Sequence, residues 1–350
     1  MPHTIGLDIG SSAVRAVELS VTGRGPSRLL RTGQVELPPG AMRDGEVVDG
    51  DVVTEALRTL WERYKFSHRK VTLGLANQQV VVRQVDLPHL PLPELRQSLE
   101  FQAQDHIPFP VEQAILDLHV LDEYESDSGV PMSRILLVAA QRTMVDSLVA
   151  CVRAAKLTPV KIDLDAFAMV RSLVRHEPRV AGEGEMLLDI GADVTKIVVH
   201  DCGVPKFVRV LLMGGSAVTA SLSKGLGISH EEAERTKATA GMAGDGAPPA
   251  GEAERLIADR TDELVREIRG SLDYYAAQPE AVGVHGVVLS GGGARLPDLQ
   301  TRLSSELDIP VERGHPMQEI KIGKVEYDYA QLVDAEPQLA VAVGLAVDAR

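Results

Sequence analysis

The chain has 350 residues, 44% of them hydrophobic and 25% charged, enough for two domains around sizeable aliphatic cores. A formal charge of −14 without clustered Lys and Arg excludes a general nucleic-acid or anionic-membrane surface, and 3% aromatic residues leave little material for base stacking. Two cysteines, Cys151 and Cys202, lack metal or redox spacing, and ten histidines are scattered, so reduced structural thiols in a cytoplasmic protein are expected, with no Ser or Cys nucleophile.

In chain order, apolar positions run through Ile5, Leu7 and Ile9 and resume at Ala13, Val14, Ala16 and Val17, which predicts two strands around a Gly10-Ser11-Ser12 turn. Such a turn lets a ligand approach the main chain at Gly10, taken to tolerate positive φ, with Ser11 and Ser12 as short donors; phosphate oxygens suit it. Asp8 beside phosphate makes sense with a Mg²⁺ between them, because that cation combines carboxylate, water and phosphate ligands. A strand from Arg28 to Leu37, a Pro- and Gly-rich loop, a helix carrying Val53, Leu57, Leu60 and Trp61 on one face, and a strand at Val71 to Leu75 follow.

From Asn77 the texture changes. Strands at 80–85, 116–121 and 134–140, with helices at 94–105 and 143–155, read as an inserted unit of β, α, β, β, α order, a small sheet with helices on one face. A strand at 160–164 and a helix at 165–174 return to the first domain. Met186 to His200 then repeats Leu-Asp-Ile-Gly, a polar turn and an apolar strand, placing Asp189 in the position of Asp8. Beyond it come a helix from Ser216, a helix at 229–239 whose Ser229 and Glu232 form a capping box, a loop at 241–251 and a helix at 252–277. Val287 to Leu299 reads as a buried strand, a Gly291-Gly292-Gly293 turn and a helix opening at Pro297; an apolar helix at 337–347, too short to span a bilayer, ends the pattern.

Two Asp-Ile-Gly hairpins followed by a strand and three glycines resemble the actin, sugar-kinase and heat-shock-chaperone ATPase superfamily. The insertion resembles that of the division protein FtsA. More closely, Leu37 to Asp49, His106-Ile-Pro-Phe-Pro110, Asp163 to Ala168, Glu232 to Lys237 and Glu267 to Tyr275 resemble the PilM family of type IV pilus assembly proteins. The resemblance implies an α/β, actin-like two-domain ATPase fold with duplicated mixed-sheet cores and an FtsA-type inserted subdomain. Its parts are expected at 1–77 with 159–182, at 78–158 for the insertion, at 183–215 with 284–350, and at 216–283 for a helical subdomain closing over adenosine.

It further implies ATP and Mg²⁺ as ligands. Phosphate contacts fall on Gly10, Ser11, Ser12, Gly191 and Thr195, with Arg15 where relatives commonly have Lys; Asp8 and Asp189 hold Mg²⁺ through water; Glu234, Lys237, Gly291, Gly292 and Gly293 meet adenosine. Residues 163–169 lack the water-orienting Gln of actin-like ATPases, which implies slow hydrolysis or none. The implied partner is the N-terminal cytoplasmic tail of the single-span protein PilN, docked in a groove between the first core and residues 78–158, with pilus motor ATPases and platform proteins beyond it. Membrane attachment is expected only through that partner, since Val341 to Arg350 has no cationic face. An FtsA-like division protein and a small-molecule kinase of the same superfamily are the alternatives.

Overall fold

The computed structural model describes residues 3–21, 26–175, 180–240, 251–323 and 329–347. The first sheet is built on the hairpin β1 (His3–Ile9) and β2 (Ala13–Ser20), extended by β3 (Arg28–Glu36). A short ribbon, β4 (Met42–Arg43) with β5 (Glu46–Val47), leads into α1 (Gly50–Tyr64). Asp49 caps α1 by accepting from the Asp51 and Val52 amides, and the helix lays Val53, Leu57, Leu60 and Trp61 on the sheet, as their spacing dictates. β6 (Lys70–Leu75) then pairs parallel with β1.

The insertion comprises β7 (Val80–Pro88), α2 (Leu92–Ala103), β8 (Ala114–Glu125) and β9 (Pro131–Gln141), with the strands in the order β7-β9-β8. Leu95, Leu99 and Ala103 of α2 and the following Ile107 pack on Val85, Leu118, Ile135 and Leu137 as a core of their own. The last helix does not join them. Met144, Val145, Leu148, Cys151 and Val152 of α3 (Arg142–Ala154) enter the first domain's core instead, because they form one apolar face that α1 and the first sheet complete. The small sheet therefore has one covering helix. Its other side is tied to the second half, where Gln84 Nε2 donates to the Pro205 carbonyl at 3.2 Å and Arg134 reaches Glu280 at 3.2 Å.

β10 (Thr158–Leu164) returns to the edge of the first sheet beside β6, and α4 (Asp165–Leu173) crosses behind it. The second sheet repeats the plan with β11 (Glu183–Ile190), β12 (Thr195–Asp201) and β13 (Val204–Leu211). Helices α5 (Gly215–Leu226), α6 (His230–Ala240) and α7 (Glu252–Ala276) follow, then β14 (Gly283–Ser290) parallel to β11. Ser229 and Glu232 form the expected capping box of α6: the Glu232 amide donates to Ser229 Oγ, and the Ser229 amide to Glu232 Oε2. The loop expected at 241–251 lies, apart from Gly251, outside the described residues. Cys202 departs from the expected buried thiol, being exposed in the tight β12–β13 turn with φ of 50°.

Two expectations for the C-terminal quarter change. The last two glycines themselves open a 3₁₀ turn, Gly292–Arg295, and α8 (Leu299–Leu307) starts only after Asp298, whose φ of 64° breaks the path, so no helix opens at Pro297. After β15 (Val311–Arg313) completes the second sheet, the chain leaves it. β16 (Lys321–Ile322) pairs with β3, and α9 (Tyr329–Ala335) and α10 (Ala340–Val347) belong with the first domain, not with the second core. Residues 340–346 are buried all round, which a helix without a polar face requires. Gly6 and Gly344 allow it: a Cβ on Gly6 would stand 2.1 Å from the Ala342 carbonyl oxygen, and one on Gly344 1.8 Å from that of Ala168. The helix is thus wedged between β1 and α4.

Candidate functional site

The two hairpins face each other across an open cleft. Their turns close alike, the Gly10 amide donating to the Ala13 carbonyl at 3.0 Å and the Gly191 amide to the Val194 carbonyl at 2.9 Å. Gly10 is not among the residues with positive φ, and a Cβ there would meet the Ala13 oxygen at 3.3 Å, a close contact; one on Gly191 would stand 2.7 Å from the Val194 oxygen, so tight closure selects glycine at the second turn. Gly291 does use the left-handed region, at φ of 81°, and brings its backbone against Ile190 at the end of β11.

The cleft gathers Asp8, Gly10, Ser11, Ser12, Arg15, Asp189, Gly191, Gly291 and Gly292. Arg15 sits opposite Asp8 in the hairpin register, its Nη1 at 3.8 Å from Asp8 Oδ2, and is held by Gln34 Oε1 at 2.9 Å and Gln338 Oε1 at 3.5 Å. Thr195 is not brought to the wall. It is fully buried, and its hydroxyl donates to the Met213 carbonyl at 2.7 Å, which fixes the start of β12 to the end of β13. Gly293 also stands behind the surface, packed on Ile190. Glu234 and Lys237 lie further along, where Lys237 Nζ is 2.8 Å from Glu234 Oε1, 2.8 Å from Thr219 Oγ1 and 3.3 Å from the Gly215 carbonyl. Burial pushes the Glu234 carboxyl up, but hydrogen bonds from Lys237 and Thr219 outweigh it and hold the group below the usual range. Because the Gly215 amide donates to the Gly191 carbonyl, this pair adjoins the second hairpin.

Two residues absent from the sequence-based set dominate the electrostatics. Lys196 Nζ lies 2.9 Å from Asp165 Oδ2 and 3.1 Å from Asp189 Oδ1, with Asp8 also close enough to act on it. Burial opposes its charge, yet Asp165, Asp189 and Asp8 together raise its proton affinity above that of an ordinary lysine. Asp165 opens α4, and its carboxyl is pushed up to about 6, first by burial; its Oδ1 is buried without a hydrogen-bond partner, against Gly74. Asp8 is likewise raised, by burial, with Lys196 and Arg15 acting against the rise. A spacing signal for Lys196 is present in the sequence: it follows Asp189 by seven positions, as Arg15 follows Asp8, and the antiparallel registers put each cation directly opposite its carboxylate.

The expected water-held Mg²⁺ between Asp8 and Asp189 meets carboxylates that line the cleft but already face cations. Asp189 gives one oxygen to Lys196 and accepts from Ser290 Oγ on the other at 2.9 Å, while Asp8 faces Arg15. Among the described residues no three His, Cys, Asp or Glu side chains form a group suited to a metal ion. What the cleft offers is two cations, serine hydroxyls and turn amides, a set that recognises phosphate oxygens.

Comparison with known proteins agrees with this plan. The family model described as type IV pilus assembly protein PilM matches residues 6–350. A chain of a solved PilM–PilN type IV pilus biogenesis complex is 26% identical and superposes with a TM-score of 0.83, over 98% of this chain and 97% of that one. The cell division protein FtsA of Neisseria meningitidis serogroup B is 25% identical over 89% of this chain and 83% of its own length. MreB5 of Spiroplasma citri, solved with AMPPNP, shares the fold at a TM-score of 0.55 and 12% identity, covering 98% of this chain and 95% of that one. The architecture is actin-like.

Proposed function

The chain belongs to the type IV pilus assembly protein PilM family, and from that premise we propose that it is an ATP-binding scaffold of a pilus assembly platform that captures the N-terminal cytoplasmic tail of PilN. The observation that carries this reading is the end-to-end likeness to a chain of a PilM–PilN complex. A docking edge is at hand: β10 ends the first sheet, with Val160 58% and Ile162 38% exposed. An extended apolar peptide adds to such an edge through main-chain hydrogen bonds and buries alternate side chains. The tail would also bring the scaffold to the membrane, since among the described residues no helix is long and apolar enough to cross one.

ATP lies between the two hairpins in this reading, its phosphates at Ser11, Ser12 and the Gly10 and Gly191 turns, its adenosine toward Glu234, Lys237 and the Gly291 turn. Where a hydrolytic relative presents a water-orienting Gln, α4 opens with Asp165, already bound to Lys196. Turnover below about 1 s⁻¹ is therefore expected, measured as phosphate release from the purified chain. Nucleotide would act by setting the angle between the halves. Through Gln84 and Arg134 that angle reaches the insertion, and from there the tail, the platform and its motor ATPases.

Calorimetric titration of the PilN tail peptide into the full chain tests the partner. Saturable binding is expected, weakened about tenfold by Ile162→Glu, which puts a carboxylate where apolar contact is needed. No binding up to about 1 mM, a range in which even weak specific contacts show, would refute the partner and favour an FtsA-like role. Undiminished binding to Ile162→Glu would move the docking site off β10.

A further inference from the structure

Resting on the nucleotide reading above, we propose that the Lys196 ammonium is the resident cation of this cleft, supplying the charge that a divalent metal ion would otherwise bring, so that nucleoside triphosphate binds without Mg²⁺. Both hairpins carry their own counter-charge in the same register, Asp8 opposite Arg15 and Asp189 opposite Lys196. Three buried carboxylates, Asp8, Asp165 and Asp189, are met by two side-chain cations, which leaves little uncompensated charge to attract a metal.

The geometry makes exchange costly. Mg²⁺ requires a near-octahedral shell of oxygens at about 2.0–2.1 Å and gives up water reluctantly. Direct coordination would set Mg²⁺ in competition with Lys196 and Ser290 for the Asp189 oxygens, each within 3.1 Å, and would drive the ammonium off. The displaced ammonium, whose side chain is only 12% exposed, would lose a carboxylate in a buried site. An ammonium needs no such shell. As a point charge with three donors it holds two carboxylates and turns its third N–H toward an incoming phosphate oxygen, as lysines do in other phosphate-binding loops.

Calorimetry of ATP against the full chain, with saturating Mg²⁺ and again with excess EDTA, reads this directly and needs no variant. The two dissociation constants are expected to agree within about threefold, less than half a tenfold step in free energy. A loss of about tenfold or more in EDTA overturns the proposal while leaving ATP binding intact. Absence of binding in both buffers overturns the nucleotide reading and the proposal with it. Lys196→Gln keeps a hydrogen-bond donor on a side chain one atom shorter and removes the charge. It is expected to bind ATP at least about tenfold more weakly in EDTA and to regain part of that with Mg²⁺; wild-type affinity of this variant in EDTA would also overturn the assignment.

Discussion

Replacing Asp165 by Asn isolates one buried ionisation. In the folded chain this carboxyl is 4% exposed and its pKa stands at about 6, against 3.8 for the free group. The folded state therefore binds more protons than the unfolded state between these values, and stability attributable to this group is present below pH 3.8 and lost as pH rises through 6. At about 1.4 kcal/mol per tenfold change in proton affinity, the full loss is about 3 kcal/mol. Of this, about 2 kcal/mol falls between about pH 4.5 and about pH 7.5. Asn cannot ionise, so relative to wild type the variant should gain that amount over the interval. Trp61, the single tryptophan, lies in the same core beside Phe66 at 4.9 Å and reports its unfolding by fluorescence. With a urea dependence of about 2 kcal/mol per molar, the gap between the two urea midpoints should change by about 1 M across the interval, in favour of Asn. Taking the difference between variants cancels the carboxylates remote from the Lys196 cluster. A gap that stays constant within about 0.3 M would show that Asp165 titrates normally, and would remove burial as the dominant influence on it.

Gly344→Ala should cost about 3 kcal/mol or more, because the new methyl overlaps the Ala168 carbonyl oxygen and drives α10 off α4; a fall in the thermal midpoint checks it. Ser229→Ala removes the cap acceptor of α6 and should cost that helix about 1 kcal/mol, seen as faster amide exchange there and, through Glu234 and Lys237, about fivefold weaker ATP binding. Leu95→Ala empties the centre of the insertion's own core, with an expected loss of about 3 kcal/mol confined to that unit. Tail-peptide binding should weaken while ATP affinity holds, and equal loss of both in paired titrations would show that the insertion is not a separate folding unit.

Features governed by neighbours along the chain are legible in the sequence alone. The hairpins at Gly10 and Gly191 announce themselves through apolar alternation broken by a short polar turn, α1 through its four-residue periodicity, and the start of α6 through Ser229 and Glu232, because turn chemistry and capping act within a few residues. Contacts between distant segments are not. The apolar run in α10 says that this helix is buried on every side, but only the folded sheet shows that the open seat lies between β1 and α4, where Gly6 and Gly344 permit approach. The face of α3 is equally plain in sequence, and its partner is not: α1 completes it, while the insertion fills its own core with α2. The same limit hides the meeting of Lys196 with Asp165, which lie 31 positions apart yet stand 2.9 Å from each other. Charge says nothing about location until β10, α4 and β12 converge, and it is the burial imposed by that convergence that turns an ordinary lysine and an ordinary aspartate into the charged centre of the cleft.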